Sequence, residues 1–134
     1  MGDQSMCDVP SVLHDLQPLL ADHSAQPSGV VWRLAEGGRQ LDANVLNLPA
    51  GQTIDNHAEP DLDVLLVIVA GSVTMGTETG LLTLVPGELV WLPRGSTRSF
   101  TAGTDGVAYL TVHQRRPGMQ IRSSGLVRPA AANL

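Results

Sequence analysis

The fold of this chain is decided by one stretch, residues 51–71, which reads GQTIDNHAEPDLDVLLVIVAG. Its second half holds seven consecutive apolar residues at 64–70, a length that suits a β-strand and is far short of the roughly 20 residues that a membrane-spanning helix needs. Because successive side chains of a strand point to opposite faces, both faces of this strand are apolar. We therefore expect both faces to be covered.

Short apolar runs separated by glycine and proline turns continue on either side of this stretch. They predict strands at 30–34, 41–48, 64–69, 72–75, 81–85, 89–92 and 107–112. No helical pattern separates these strands, so we expect an all-β, antiparallel sandwich or barrel rather than parallel crossover units. Ahead of them, apolar residues at helical spacing over 11–20 predict a short helix, which Pro18 shortens or breaks.

The chain has 134 residues, of which 43% are hydrophobic, and this suits one domain with one core. We divide it into a partly helical N-terminal segment at 1–27, a barrel at 28–117 and a loosely ordered tail at 118–134. The lone cysteine, Cys7, is interpreted as a bystander rather than a nucleophile.

The charge balance excludes two classes of partner. Eight basic and thirteen acidic side chains give a net charge of -5, which supplies no basic patch for nucleic acid or for an anionic membrane. The N-terminus has no basic segment ahead of a hydrophobic stretch, so it does not have the pattern of a secretory signal. We expect a cytoplasmic protein.

Two motifs carry a resemblance to a known family. Gly51, five residues, His57, a nearby acidic group and Gly71 resemble the first cupin motif, in which a glycine and five residues precede histidine-x-histidine. Fifteen residues, 72–86, separate Gly71 from Gly87, and five further residues lead to 93–95, Pro-Arg-Gly, which is similar to the second motif. The resemblance covers roughly residues 28–117 and implies a cupin-type jelly-roll barrel.

The departures from these motifs fall on the positions that bind metal in the family. Glu59 stands at the second histidine and Arg98 at the third, while one inserted residue leaves the glutamate position between Asp63 and Val64. That insertion decides whether Asp63 points into the barrel. A guanidinium has no lone pair to donate, so Arg98 cannot ligate a cation. We expect no metal cofactor, and an internal ion pair between Arg98 and Glu59 in its place.

The candidate ligand-binding residues are therefore His57, Glu59, Asp63 and Arg98. They favour a barrel that binds or senses a small polar or anionic molecule. A second hypothesis, which the resemblance implies, is a dioxygenase or isomerase that holds iron, manganese, nickel or zinc through His57, Glu59 and Asp63. A third is a structural or regulatory domain whose pocket is filled by side chains.

Four further expectations concern residues around the barrel. Trp32 and Trp91 are interpreted as core residues. His113 is out of phase with the apolar positions of the last strand and is expected to face outward. Asp61 and Asp63 also fit a solvated loop. Because both faces of the 64–69 strand are apolar, we expect a symmetric homodimer.

Overall fold

The structure, a computed structural model, describes residues 9–116. Its elements, in chain order, are α1 (Gln17–Asp22), a 3-10 turn (His23–Ala25), β1 (Gly29–Arg33), β2 (Leu41–Leu48), β3 (Thr53–Ala58), β4 (Val64–Thr77), β5 (Gly80–Leu84), β6 (Leu89–Leu92) and β7 (Thr97–Gln114). Within this part of the chain, no helix is both long enough and apolar enough to cross a bilayer. The predictions for Cys7 and for the 118–134 tail lie outside the described residues.

All strand pairs are antiparallel, and the two longest strands organise the barrel. The first part of β7 pairs with β3, while its second part pairs with β2. In the same way β4 pairs first with β6 and then with β5, and it pairs with β7 along most of its length. Each long strand thus runs through both layers of sheet, and the predicted all-β, antiparallel jelly-roll architecture is confirmed.

Some predicted boundaries were wrong. The segments 64–69 and 72–75 form one strand, β4, and 107–112 is only the second half of β7. Strand β3 was missed because its sequence, TIDNHA, is largely polar and shows no clear apolar alternation. The helix occupies Gln17–Asp22 rather than 11–20, because Pro18 fits only its first turn, where no backbone N–H is required.

Two apolar clusters lie on the two sides of β4. The inner cluster fills the barrel and includes Leu46, Leu66, Ile68, Met75 and Phe100. The outer cluster is built from Val45, Val69, Ala70, Ala108 and, from α1, Leu19. The helix therefore covers one part of the outer face of β4, while the inner face packs within the barrel. Both faces of the strand are apolar for this reason.

The turn of β4 from one layer to the other depends on Gly71. Its φ is +75°, and a Cβ built there would overlap the carbonyl oxygen of Gly106 and the ring of His23. The ladder between β4 and β7 shifts register on both sides of this point. A side chain at position 71 would be both strained and too large, so only glycine fits.

Of the two tryptophans that the sequence predicts as core residues, Trp91 is placed differently by the structure, while Trp32 does pack against a core cluster. Trp91 is 60% exposed and is not a core residue, because it lies on the outer face of β6, opposite Leu65 of β4. Trp32 is half-buried against the outer cluster and stacks on His14, with ring centroids 5.9 Å apart. The apolar sequence around Trp91 was misleading because an edge strand can present one apolar face outward.

Candidate functional site

The strand register sets His57 and Arg98 directly opposite one another on β3 and β7. Directly opposed residues of an antiparallel pair project to the same face of the sheet. On β7 the buried positions alternate through Arg98, Phe100 and Ala102, and the last two belong to the inner cluster. His57 and Arg98 therefore share the inner face of the barrel.

Arg98 is a buried cation. The residue is 1% exposed, and its Nη1 donates to the backbone oxygen and to Oγ of Ser96 at 3.0 and 3.2 Å. Burial lowers the pKa of Arg98, and the charge of Glu59 acts in the opposite direction with a smaller effect. The charge of Glu59 therefore offsets part of the desolvation of this cation.

Glu59 follows β3 and has a close partner that the sequence analysis missed. Its Oε1 accepts a hydrogen bond from Arg116, and its Oε2 accepts one from the backbone N–H of Asp61 at 2.9 Å. Arg116 also lies 3.9 Å from the carboxylate of Asp61. The expected partnership of Glu59 with Arg98 is therefore electrostatic, while the direct ion pair of Glu59 is with Arg116. A signal was present in the two arginines that follow the last strand.

Asp63 is placed at the rim. Its Oδ1 accepts a hydrogen bond from the backbone N–H of Arg94 at 2.9 Å, and its Oδ2 lies 3.7 Å from the Arg94 guanidinium. The side chain is 38% exposed. The carboxylate thus ties the start of β4 to the turn before β7, and the structure does not bring it beside Arg98. Asp61 is well exposed, as a solvated loop residue should be.

His57 has a defined tautomer. Its Nδ1 lies 2.8 Å from the backbone oxygen of Asp55, and a carbonyl oxygen can only accept, so Nδ1 carries the hydrogen. In the neutral ring the lone pair is then on Nε2. This atom is buried and has no hydrogen-bond partner among residues 9–116.

The inner face of the last strand was assigned wrongly from the sequence. Tyr109 and Thr111 are 1% and 0% exposed and lie on the face of the inner cluster, opposite Ile68 and Leu66. His113 is two positions further along the same face, so it points inward and not outward as expected. The error arose because polar residues alternate here with apolar ones that face the outer cluster, and polarity was taken as a sign of exposure.

A cavity of about 250 Å³ opens beside Arg98. Its wall includes hydroxyl groups from the β4–β5 turn and from the start of β7, together with apolar side chains from β4 and β6. The lining residues are Met75, Thr77, Glu78, Thr79, Trp91, Leu92, Pro93, Ser96, Thr97 and Arg98. This volume lies just below the roughly 300–1,000 Å³ of typical ligand pockets, so it suits only a molecule of a few heavy atoms.

Comparison with known proteins shows what this architecture is similar to. The chain is similar to a sugar phosphate isomerase of the cupin superfamily from Silicibacter pomeroyi DSS-3, with 21% identity and a TM-score of 0.55 over 60% of this chain and 54% of that one. It is also similar to a cupin-2 domain protein from Shewanella frigidimarina NCIMB 400, with 10% identity and a TM-score of 0.59 over 77% of this chain and 95% of that one. KdgF from Halomonas sp. matches with 18% identity and a TM-score of 0.56 over 69% and 84% of the two chains.

The fold is of the cupin type. No protein-family model matches the chain, and no curated protein matches it. The match to the isomerase spans about half of that protein's length. At these identities the similarity establishes the cupin-type fold alone.

Among the described residues of this cupin-type barrel, the donor groups do not fit a metal ion. Within residues 9–116, no three or more histidine, cysteine, aspartate or glutamate side chains form a group that could hold one. Of the four candidate residues, His57 has a suitable lone pair, but Glu59 is bound to Arg116 and Asp63 to Arg94. The cation of Arg98 on the same face as His57 opposes a second positive charge.

Proposed function

We propose that this cupin barrel binds a small anionic molecule at Arg98, without a resident metal. The observation that carries the proposal is a guanidinium that is 1% exposed and lines a cavity of about 250 Å³. A guanidinium recognises a carboxylate or a phosphate through two parallel hydrogen bonds, and these are strongest away from bulk water.

The surrounding charges support an anion. Glu59 is an acidic group whose charge acts on Arg98, and its carboxylate is shared with Arg116. Burial has a larger effect on Arg98 than Glu59 does. An additional negative charge in the cavity would therefore stabilise the Arg98 cation.

Propionate binding tests the proposal, with calorimetry or ligand-observed NMR on the full chain. We expect Arg98→Met to weaken binding at least about tenfold, because the charged contact is lost. Arg98→Lys keeps the charge and serves as a second variant if the methionine variant fails to fold. Arg94→Gln is the matched control, since Arg94 is an exposed arginine near the same rim. Equal affinity of Arg98→Met and wild type for propionate would overturn the proposal.

We also propose that two copies of the chain pair through the outer face of β4 and β6. Leu65, Leu89 and Trp91 are exposed there, and Leu65 is flanked by Trp91 on one side and by Val112 on the other. The helix α1 contacts only the part of this face near Val69. Exposed apolar surface on the outer face of a sheet suits a two-fold contact in which each copy presents the same patch.

A further inference from the structure

The cavity beside Arg98 has an acidic group in its wall. Glu78 lines it together with Arg98, so a carboxylate and a guanidinium border the same space of about 250 Å³. Glu78 is exposed, and its side chain forms no hydrogen bond or ion pair with any residue in the described range 9–116. The proposed function uses the Arg98 side of this cavity and gives the Glu78 carboxylate no role.

The strand register places Glu78 close to Arg98. In the ladder between β4 and β7, Gly76 is directly opposite Ser99. Continued by one residue, this register sets Thr77 beside Arg98, and both residues line the cavity. Glu78 follows Thr77 as the first residue of the two-residue turn that joins β4 to β5. The acidic group therefore lies one residue beyond the cross-strand neighbour of Arg98.

Hydrogen bonds within the β4–β5 turn hold the backbone from which Glu78 projects. Thr77 Oγ1 donates to the backbone oxygen of Gly80 at 3.0 Å and accepts from the backbone N–H of Thr79 at 3.2 Å. The Thr79 hydroxyl lies 3.2 Å from the same Oγ1. The turn thus uses the Thr77 hydroxyl for its own structure, and the carboxylate of Glu78 is the charged group that this wall offers to a ligand.

We infer that the ligand is a small zwitterion, an ammonium carboxylate, an inference that rests on the proposed function. Its carboxylate binds Arg98, and its ammonium group donates to the carboxylate of Glu78. A simple anion would bring a second negative charge close to Glu78, whereas a zwitterion places a positive charge there. The small volume of the cavity limits the ligand to a short carbon chain between its two charged groups.

Titrations of the full chain with β-alanine and propionate test the inference, because these three-carbon carboxylates differ by one ammonium group at neutral pH. We expect wild type to bind β-alanine roughly two- to fivefold more tightly than propionate, the gain that an ion pair with an exposed carboxylate gives. Glu78→Gln should abolish this preference by weakening β-alanine binding without weakening propionate binding. Glu78→Lys should reverse the preference. Glu36→Gln, at an exposed position outside the cavity wall, removes the same charge and should behave as wild type.

The possible failures are distinct. If β-alanine and propionate bind equally well and both need Arg98, the zwitterionic ligand is wrong and the anion site stands. If the preference for β-alanine survives in Glu78→Gln and Glu78→Lys, Glu78 is not the partner of the ammonium group and the inference is also wrong. If neither carboxylate binds wild type, the proposed function itself fails. Both substitutions change an exposed turn position, so we expect the variants to fold as wild type does.

Discussion

His57 and Arg98 occupy opposed positions on β3 and β7, so the imidazole and the guanidinium share the inner face of the barrel. By the motif comparison, Arg98 stands where the cupin family carries a metal-binding histidine. A permanent cation beside the imidazole opposes cation binding and favours an anion. The identity of one residue thus changes the chemistry that the same backbone can support.

Replacing Arg98 by histidine should create a weak metal site. The change removes the positive charge and adds a second imidazole opposite His57, so we expect zinc or nickel affinity to rise at least about tenfold over wild type. Calorimetric titration of both proteins measures this. Arg98→His combined with His57→Ala is the control and should lose the gain. If the wild type itself binds one equivalent of zinc or nickel tightly, this result would instead support the hypothesis of a metal-dependent enzyme.

Arg116 should stabilise the barrel through Glu59. Removing its charge in Arg116→Gln leaves the nearly buried Glu59 carboxylate with one hydrogen bond fewer, and we expect a loss of about 1–2 kcal/mol in the free energy of unfolding. Chemical denaturation measures the loss. Arg115→Gln changes the exposed neighbour and should have little effect. If both variants lose equal stability, the Glu59 contact is not the cause.

Gly71→Ala should be strongly destabilising. The positive φ and the contact with the Gly106 carbonyl oxygen both oppose a side chain, so we expect a loss of about 2–4 kcal/mol. Gly37→Ala is the matched control, because a Cβ there meets nothing within 4 Å and its φ is not positive. Thermal unfolding measures the melting temperatures of the two variants. Similar melting temperatures would contradict the close packing at position 71.

Tyr109 should remain protonated in the folded protein well above pH 10. Burial raises the pKa of Tyr109 above its ordinary value near 10, so the folded state holds a proton that the unfolded state releases. Stability should therefore be unaffected below pH 10 and fall above it, by up to about 1.4 kcal/mol per pH unit. The chain has one tyrosine, so the rise in absorbance at 295 nm that accompanies phenolate formation reports Tyr109 alone. Tyr109→Phe should remove the loss, and native-state ionisation near pH 10 would refute the burial.

Trp91→Glu should separate the proposed dimer. A charge placed in an apolar contact is costly, so we expect the dimer dissociation constant to rise at least about 100-fold. Sedimentation or light scattering at micromolar concentration measures the mass. Leu81→Glu, at another exposed leucine on β5, is the control and should leave the mass unchanged. A monomeric wild type would remove the basis of this proposal.

The sequence alone was enough for the architecture because apolar runs and turn residues are local signals. The run at 64–70 predicted a strand with two apolar faces, and the two glycine-containing motifs assigned His57 and Arg98 to one site. Strand β3 was the exception, since its polar sequence carries no apolar period. Its place in the barrel comes from hydrogen bonding to β7.

Only the tertiary structure decided which side chains meet. Whether Glu59 pairs with Arg98 or Arg116 depends on where the end of β7 returns, 57 residues later in the chain. The same return placed Tyr109 and Thr111 inside, although their alternation with apolar neighbours was visible in the sequence. Strand periodicity separates two faces but does not say which is inner when both are covered. That choice is made by the packing of one layer of sheet against the other, which no local pattern encodes.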